Sequence, residues 1–195
     1  MSIKKVCIYC ASSTIIAPLY IEHAKALAAE MATNHIDMVF GGSRTGLMGI
    51  LADEMNKLNG HSIGIMPNFM KDVEWHHENI PEMIWVDTMA ERKEKMIENA
   101  DAVITLPGGC GTMEEFMETL SLKRLGIFTE PMIILNSGGF YDPLIDLLDA
   151  MLRENFLSKK HRQMWEVVDQ PEDIIPAINR SEPWNSSAQS FALVQ

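Results

Sequence analysis

Short β-rich apolar runs alternate with longer stretches of helical periodicity along nearly the whole chain, and nothing else in the sequence constrains the fold as strongly. Ile3 to Cys10 is the first strand-like run; Ile36 to Phe40, Ser62 to Met66, Met83 to Val86, Ala102 to Leu106, Met132 to Leu135 and Trp165 to Val168 follow. Helical patterns lie between them at Pro18 to Asn34, around Leu47 to Leu58, and at Thr88 to Asn99, Thr112 to Leu125 and Tyr141 to Glu154, with a short one at Glu172 to Asn179. In the first helix Tyr20, Ala24, Leu27, Ala28 and Met31 recur at the spacing of one helix face. Pro18 suits a first helical position, and Asn34 suits the left-handed residue past the end. Strands separated by helices imply crossover connections and a parallel sheet. Strands without in/out alternation imply helices on both faces. The expectation is one open, doubly wound α/β domain over residues 1–180 and a loose Ser-rich tail at 181–195, with Pro67 to Pro81 as a long polar loop.

Composition removes several classes of function. The 195 residues carry a formal net charge of −11, without a Lys/Arg-rich run, so a surface that tracks nucleic-acid phosphates is not expected. A hydrophobic fraction of 47% is too high for a disordered chain. No apolar run reaches the roughly 18 residues of a membrane span. The opening Met1-Ser2-Ile3-Lys4-Lys5 lacks a signal-peptide layout, and 3 cysteines make no disulfide framework, so the expected compartment is the cytoplasm.

In sheets of this kind ligands bind outside the carboxyl ends of the strands, so chemistry is sought at the strand-to-helix turns. The most informative turn is Leu106-Pro107-Gly108-Gly109-Cys110-Gly111-Thr112-Met113-Glu114-Glu115. A buried strand ends at Leu106, Pro107 stops the ladder, and a helix is expected to open at Thr112. Free amides at a helix start favour an anion, and Gly108, Gly109 and Gly111 remove side chains that would hold a phosphate away. The turn is neither GxGxxG with a downstream acid nor GxxxxGK[ST], so dinucleotide and P-loop binding are not indicated. Thr112-x-x-Glu115 also fits a capping box, and on the residues alone that is the stronger use of Glu115. Met113, Phe116, Met117 and Leu120 form the apolar stripe, and Glu115 points away from it.

Thr88-Met89-Ala90-Glu91 is a second capping-box pattern, opening a helix whose stripe is Met89, Met96, Ile97 and Ala100. Lys93 falls within that stripe and Arg92 on its edge. Burying a cation without a partner is costly, so either these side chains reach outward to water or an anion meets them. A second glycine turn, Gly41-Gly42-Ser43-Arg44-Thr45-Gly46, offers further amides and hydroxyls, or is an ordinary turn. Other signals carry less. Cys7 and Cys10 are three apart in a strand and face opposite sides, which is wrong for chelation. The adjacent His76 and His77 have no suitably spaced metal partner. The 15 methionines read as core filling.

With these residues in place the chain resembles the LOG ("Lonely Guy") family of cytokinin riboside 5′-monophosphate phosphoribohydrolases, once described as lysine decarboxylases. The family motif P-G-G-x-G-T-x-x-E falls on Pro107, Gly108, Gly109, Gly111, Thr112 and Glu115, and its M-x-x-R-K stretch on Met89, Arg92 and Lys93. Val6 to Ser13 looks like the family's first strand and Ser-rich turn, and Gly41-Gly42 with Gly46-Leu47-Met48-Gly49 like its second glycine turn. The likeness spans about residues 3–180. Ser43 stands where a third glycine is usual, Cys110 where an aromatic is frequent, and Asn68 to Glu82 matches less well.

The resemblance implies a Rossmann-like fold, a homodimer, and hydrolysis of the N-glycosidic bond of adenine-type nucleoside 5′-monophosphates to free base and ribose 5-phosphate. It implies Glu115 and Arg92 as the catalytic pair. Gly108, Gly109, Gly111, Thr112, Lys93 and Met89 are expected at the substrate, with Ser13 and Gly42 as weaker candidates. No metal or cofactor is expected, and no lysine context argues for pyridoxal phosphate. The alternative is a non-catalytic nucleotide or phosphate-ligand binding protein on the same scaffold; a third possibility is a 2-deoxyribosyltransferase-like enzyme.

Overall fold

A computed structural model describes residues 3–73 and 75–184. Seven strands form one parallel sheet in the order β4-β3-β2-β1-β5-β6-β7. They are β1 (Lys5–Tyr9), β2 (Asp37–Phe40), β3 (Ser62–Pro67), β4 (Glu82–Val86), β5 (Ala102–Thr105), β6 (Met132–Leu135) and β7 (Glu166–Val168). The helices are α1 (Pro18–Thr33), α2 (Gly46–Lys57), α3 (Met89–Ile97), α4 (Cys110–Arg124), α5 (Asp142–Arg153) and α6 (Ile174–Arg180). The expected Rossmann-like, doubly wound sheet is thus present, and every expected strand and helix has a counterpart.

Two cores sandwich the sheet. Leu27 and Met31 of α1, Leu47 and Leu51 of α2 and Ile174 of α6 pack on Ile8, Met38, Ile104 and Leu135. On the other face Met96 of α3, Phe116 of α4 and Leu148 of α5 pack on Cys7, Tyr9, Val39, Val103 and Ile134. Successive strand residues therefore alternate between two equally apolar layers, which is why no strand shows a polar side. Cys7 and Cys10 fall into different cores, and burial raises both thiols well above the ordinary cysteine range.

The strand order reverses between β1 and β5. That is the point where the following turns diverge to opposite faces and leave a crevice. Here the turns are tied together: the Ala11 amide donates to the Pro107 carbonyl at 3.2 Å, and the Leu47 amide to the Ala11 carbonyl at 2.9 Å.

Local details differ from expectation. The left-handed residue after α1 is His35, at φ 54°, because Asn34 instead uses its side chain to reach back to the Glu30 carbonyl at 2.7 Å. The segment Pro67 to Pro81 contains 3-10 turns at Asn68–Val73 rather than only irregular loop. The expected tail begins at 181, but Trp184 is buried, its Nε1 donating to the Lys123 carbonyl at 2.5 Å; residues 185–195 lie outside the described residues.

Candidate active site

Helix α4 opens at Cys110, two residues earlier than expected, with Gly109 as a cap residue that offers no side-chain bond. The first helical bond runs from the Met113 amide to the Gly109 carbonyl at 3.0 Å, so the amides of Cys110, Gly111 and Thr112 precede the ladder. A Cβ added at Gly109 or Gly111 would meet nothing within 4 Å, whereas one at Gly108 would stand 2.1 Å from Thr112 Oγ1. Gly109 and Gly111 thus face open space, and Gly108 lets the turn close on Thr112. Below the turn, the Tyr141 hydroxyl donates to the Leu106 carbonyl at 2.7 Å.

The capping-box reading of Thr112 and Glu115 does not hold. The inward face of α4 is Thr112, Glu115, Phe116, Thr119, Leu120 and Lys123, at helical spacing, while Met113 and Met117 sit at its flank. Glu115 is buried, against the expectation from the apolar stripe. Its Oε1 accepts from Arg92 Nη1 at 2.6 Å. Arg92 is buried as well, and its Nε donates to the Ile65 carbonyl within β3, at 3.0 Å. Arg92 and Met96 form the inward face of α3, so the arginine faces the sheet rather than water. Half of the expected Thr88 capping box forms: the Thr88 hydroxyl accepts from the Glu91 amide at 3.0 Å, while the Glu91 carboxylate accepts from the Asp87 amide, at 2.9 Å, instead of from Thr88.

Burial of this ion pair needs room, and Gly41 supplies it. A Cβ there would lie 2.2 Å from Arg92 Nη2. Burial pushes the Glu115 carboxyl above its ordinary value, opposed by the Arg92 charge and hydrogen bond. A carboxylate so placed is desolvated, oriented and held beside a fixed cation.

The pair opens into a cavity of about 500 Å³. Ser12 and Thr14 line it from the turn after β1, and Gly109, Cys110, Gly111 and Thr112 from the turn after β5. Gly41, Ser43, Thr45 and Met48 contribute from the region after β2. Met66 comes from β3, Met70 and Trp75 from the segment between β3 and β4, and Met89 from the first turn of α3. The hydrogen-bonding groups thus come from the turns after β1, β2 and β5, and the apolar lining also includes Ile8 of β1.

Of the expected site residues, Glu115, Arg92, Gly109, Gly111, Thr112 and Met89 meet at this cavity. Gly108, Ser13, Gly42 and Lys93 are not among its described lining. Ser12 and Thr14 face it instead of Ser13. Gly42, at φ +76°, packs against Met83 and the Ile65 amide, and its neighbours Gly41 and Ser43 reach the cavity. Lys93 is engaged by protein carboxylates: it pairs with Glu114, and with Glu118 at 2.7 Å, and these bonds raise the pKa of its ammonium. Its place in the stripe is explained by those partners rather than by a bound anion. The sequence reading missed Thr14 and Trp75 and took Gly41 only as part of a turn offering amides; its close approach to Arg92 leaves no signal without the position of that arginine. Among the described residues no His/Cys/Asp/Glu group is arranged to hold a metal, and no helix is long and apolar enough to cross a membrane.

Residues 48–178 match the model of a family described as "Possible lysine decarboxylase". Among curated proteins, the chain is 33% identical to "Cytokinin riboside 5′-monophosphate phosphoribohydrolase LOG2" of Arabidopsis thaliana, over 97% of this chain and 94% of that protein. It is 34% identical to the protein of that activity named LOG in Oryza sativa subsp. japonica, over 97% of this chain and 81% of that protein. Among solved structures, a molybdenum cofactor binding protein from Rippkaea orientalis superposes with a TM-score of 0.68 at 21% identity, covering 92% of this chain and 97% of that one. The molybdenum cofactor carrier protein of Chlamydomonas reinhardtii gives 0.69 at 16% identity, covering 91% and 96%. At such identities these two likenesses speak to the fold alone.

Proposed function

The chain belongs to the family of cytokinin riboside 5′-monophosphate phosphoribohydrolases, the LOG family, whose model carries the older description of possible lysine decarboxylase, and from that premise we propose that it hydrolyses the N-glycosidic bond of adenine-type nucleoside 5′-monophosphates. The substrates are AMP and its N6-substituted cytokinin counterparts; the products are free base and ribose 5-phosphate. The observation that carries the reading is the buried Arg92–Glu115 pair opening into a cavity beside the free amides of α4.

The 5′-phosphate docks on the amides ahead of Met113, where the helix start favours an anion and Gly109 and Gly111 leave space. Docking there sets the ribose over Glu115 and the base toward the ends of β3 and β4. As the glycosidic bond breaks, the base leaves with the bonding electrons and positive charge builds on the sugar ring. The Glu115 carboxylate stabilises that charge and takes a proton from the water whose hydroxide adds to C1′; the departing base nitrogen picks up a proton from solvent and Glu115 returns its own, so that water is divided between sugar and free base and the carboxylate is restored. Arg92 holds the carboxylate ionised and aimed; buried in a relatively dry site, it does so without reorganisation. Every part of this cycle uses side chains and amides of the chain. A carrier that only binds nucleotides has no need of a desolvated carboxylate, which favours the enzyme over the binding-protein alternative. We further propose that residues 1–180 make up the catalytic domain and that the active unit is a homodimer.

Glu115→Gln tests the reading. The amide keeps the shape and removes the charge. Release of adenine from AMP, followed by chromatography, should fall by a factor on the order of 100 to 1,000, about the loss seen when one preorganised electrostatic group is removed, while nucleotide binding persists. Near-normal release by this variant would exclude the catalytic role. Base exchange seen only with an added acceptor base would instead mark a transferase.

A further inference from the structure

The loop between β3 and β4 brings an indole to the cavity that no step above uses. Trp75 is 53% exposed, yet it lines the same cavity as Arg92 and Glu115. Its backbone is braced on both sides. The Arg44 amide donates to the Trp75 carbonyl at 2.9 Å, the His77 amide donates to the Gly42 carbonyl at 2.8 Å, and Ser43 pairs with His76 in an antiparallel bridge. Next in the chain, the buried His77 accepts from the Asn79 amide at Nδ1, at 3.2 Å. Its Nε2–H is thereby left to donate to Asp53 Oδ1 of α2, at 3.1 Å. The indole therefore stands on a mount fixed to the turn after β2, the turn that also makes room for Arg92.

Its surroundings point to a flat aromatic ligand. Met66 of β3, Met70 of the turn that follows it and Met89 at the start of α3 line the same cavity as the indole, and none offers a strong donor or acceptor. The hydrogen-bonding groups Ser12, Thr14, Ser43, Thr45 and Thr112 come from the turns after β1, β2 and β5. Thioethers adapt to aromatic rings, and a half-exposed indole leaves a face free for stacking. We propose that Trp75 is the base-recognition residue of this enzyme: its indole stacks on the purine and, with the flanking methionines, holds it by contact area rather than by hydrogen bonds to its edge. Recognition of this kind accepts a purine whether or not its N6 carries a substituent. The proposal rests on the nucleotide reading above, because it places the base at the end of the cavity opposite the phosphate.

The test compares a ligand with a base and one without. In the Glu115→Gln background, binding of AMP and of ribose 5-phosphate is measured calorimetrically with Trp75, Trp75→Ala and Trp75→Phe. The alanine variant should bind AMP about tenfold more weakly, in line with the loss of one base–aromatic stack, and bind ribose 5-phosphate unchanged. Phenylalanine should restore most of the AMP affinity. With Glu115 intact, kcat/KM for AMP should fall with Trp75→Ala by the same factor. Equal weakening of both ligands, or of neither, would overturn the proposal and leave the phosphate reading standing. Failure of ribose 5-phosphate to bind any variant would remove the phosphate reading and this proposal with it.

Discussion

Glu115 and Arg92 are each other's condition for being buried. A lone carboxylate or guanidinium at that depth would cost several kcal/mol, and each supplies the other's missing counter-charge. Burial still dominates for Glu115, whose carboxyl lies above its ordinary value, with Arg92 pulling the other way. The sign of the pH dependence follows. If the ionised form is the working one, activity is lost as pH falls through that raised pKa, so the acid limb of the kcat/KM profile should lie above 4.5. Arg92→Ala removes the charge that does most to lower it, Lys93 contributing less; the residual activity should show its acid limb at still higher pH. An acid limb that stays in place in this variant would show that another group sets it.

Helix α4 shows why some of the site was legible in the sequence and some was not. Its glycine turn and the acid that follows stand out as a pattern, and the cavity forms where that pattern ends a strand. The helix orientation was less readable, because its inward face is largely polar: Thr112 closes on Gly108, Glu115 meets Arg92, Thr119 bonds the Tyr9 hydroxyl at 2.9 Å, and Lys123 donates to the Glu130 carbonyl at 2.5 Å. Hydrophobic periodicity therefore selected Met113 and Met117, at the flank. The same reasoning placed Arg92 at the edge of α3 when it lies on the inward face. Lys123 gives this polar face a measurable stability signature. Burial lowers its pKa to about 8 from an ordinary 10.5, only partly offset by Glu130. The unfolded chain thus holds that proton more tightly, and folding stability should rise as pH increases from about 8 to 10.5. Below that window the charged lysine disfavours the folded state by an amount on the order of 3 kcal/mol. Lys123→Met should flatten the alkaline rise and increase the melting temperature near neutral pH, as read from thermal melts across pH.

For the whole molecule, the reversal of strand order between β1 and β5 gathers residues from distant parts of the chain. Ser12, Gly41, Arg92 and Glu115 come from four different strand-to-helix regions and meet at one edge of the sheet. The alternation of strands and helices made that architecture readable; no local pattern announced which turns would be neighbours. The opposite side of the sheet from the first core carries α5, which buries only Leu148 fully and leaves Leu147 half exposed, with Phe156 exposed just beyond it. In the proposed homodimer such side chains would be covered by a second copy. Sedimentation of the purified chain should give twice the 21.9 kDa of one protomer, and a single-protomer mass would remove the dimer from the proposal.

Having the amides proposed to bind the phosphate and Glu115 on one helix has a metric consequence. From Thr112 to Glu115 the rod advances about 4.5 Å, at 1.5 Å per residue, and this span cannot stretch to suit a ligand. On the reading proposed above, α4 is a gauge of fixed length for a phosphate on the 5′ carbon: isomers phosphorylated on another ribose hydroxyl should seat their anion yet present the wrong carbon to the carboxylate.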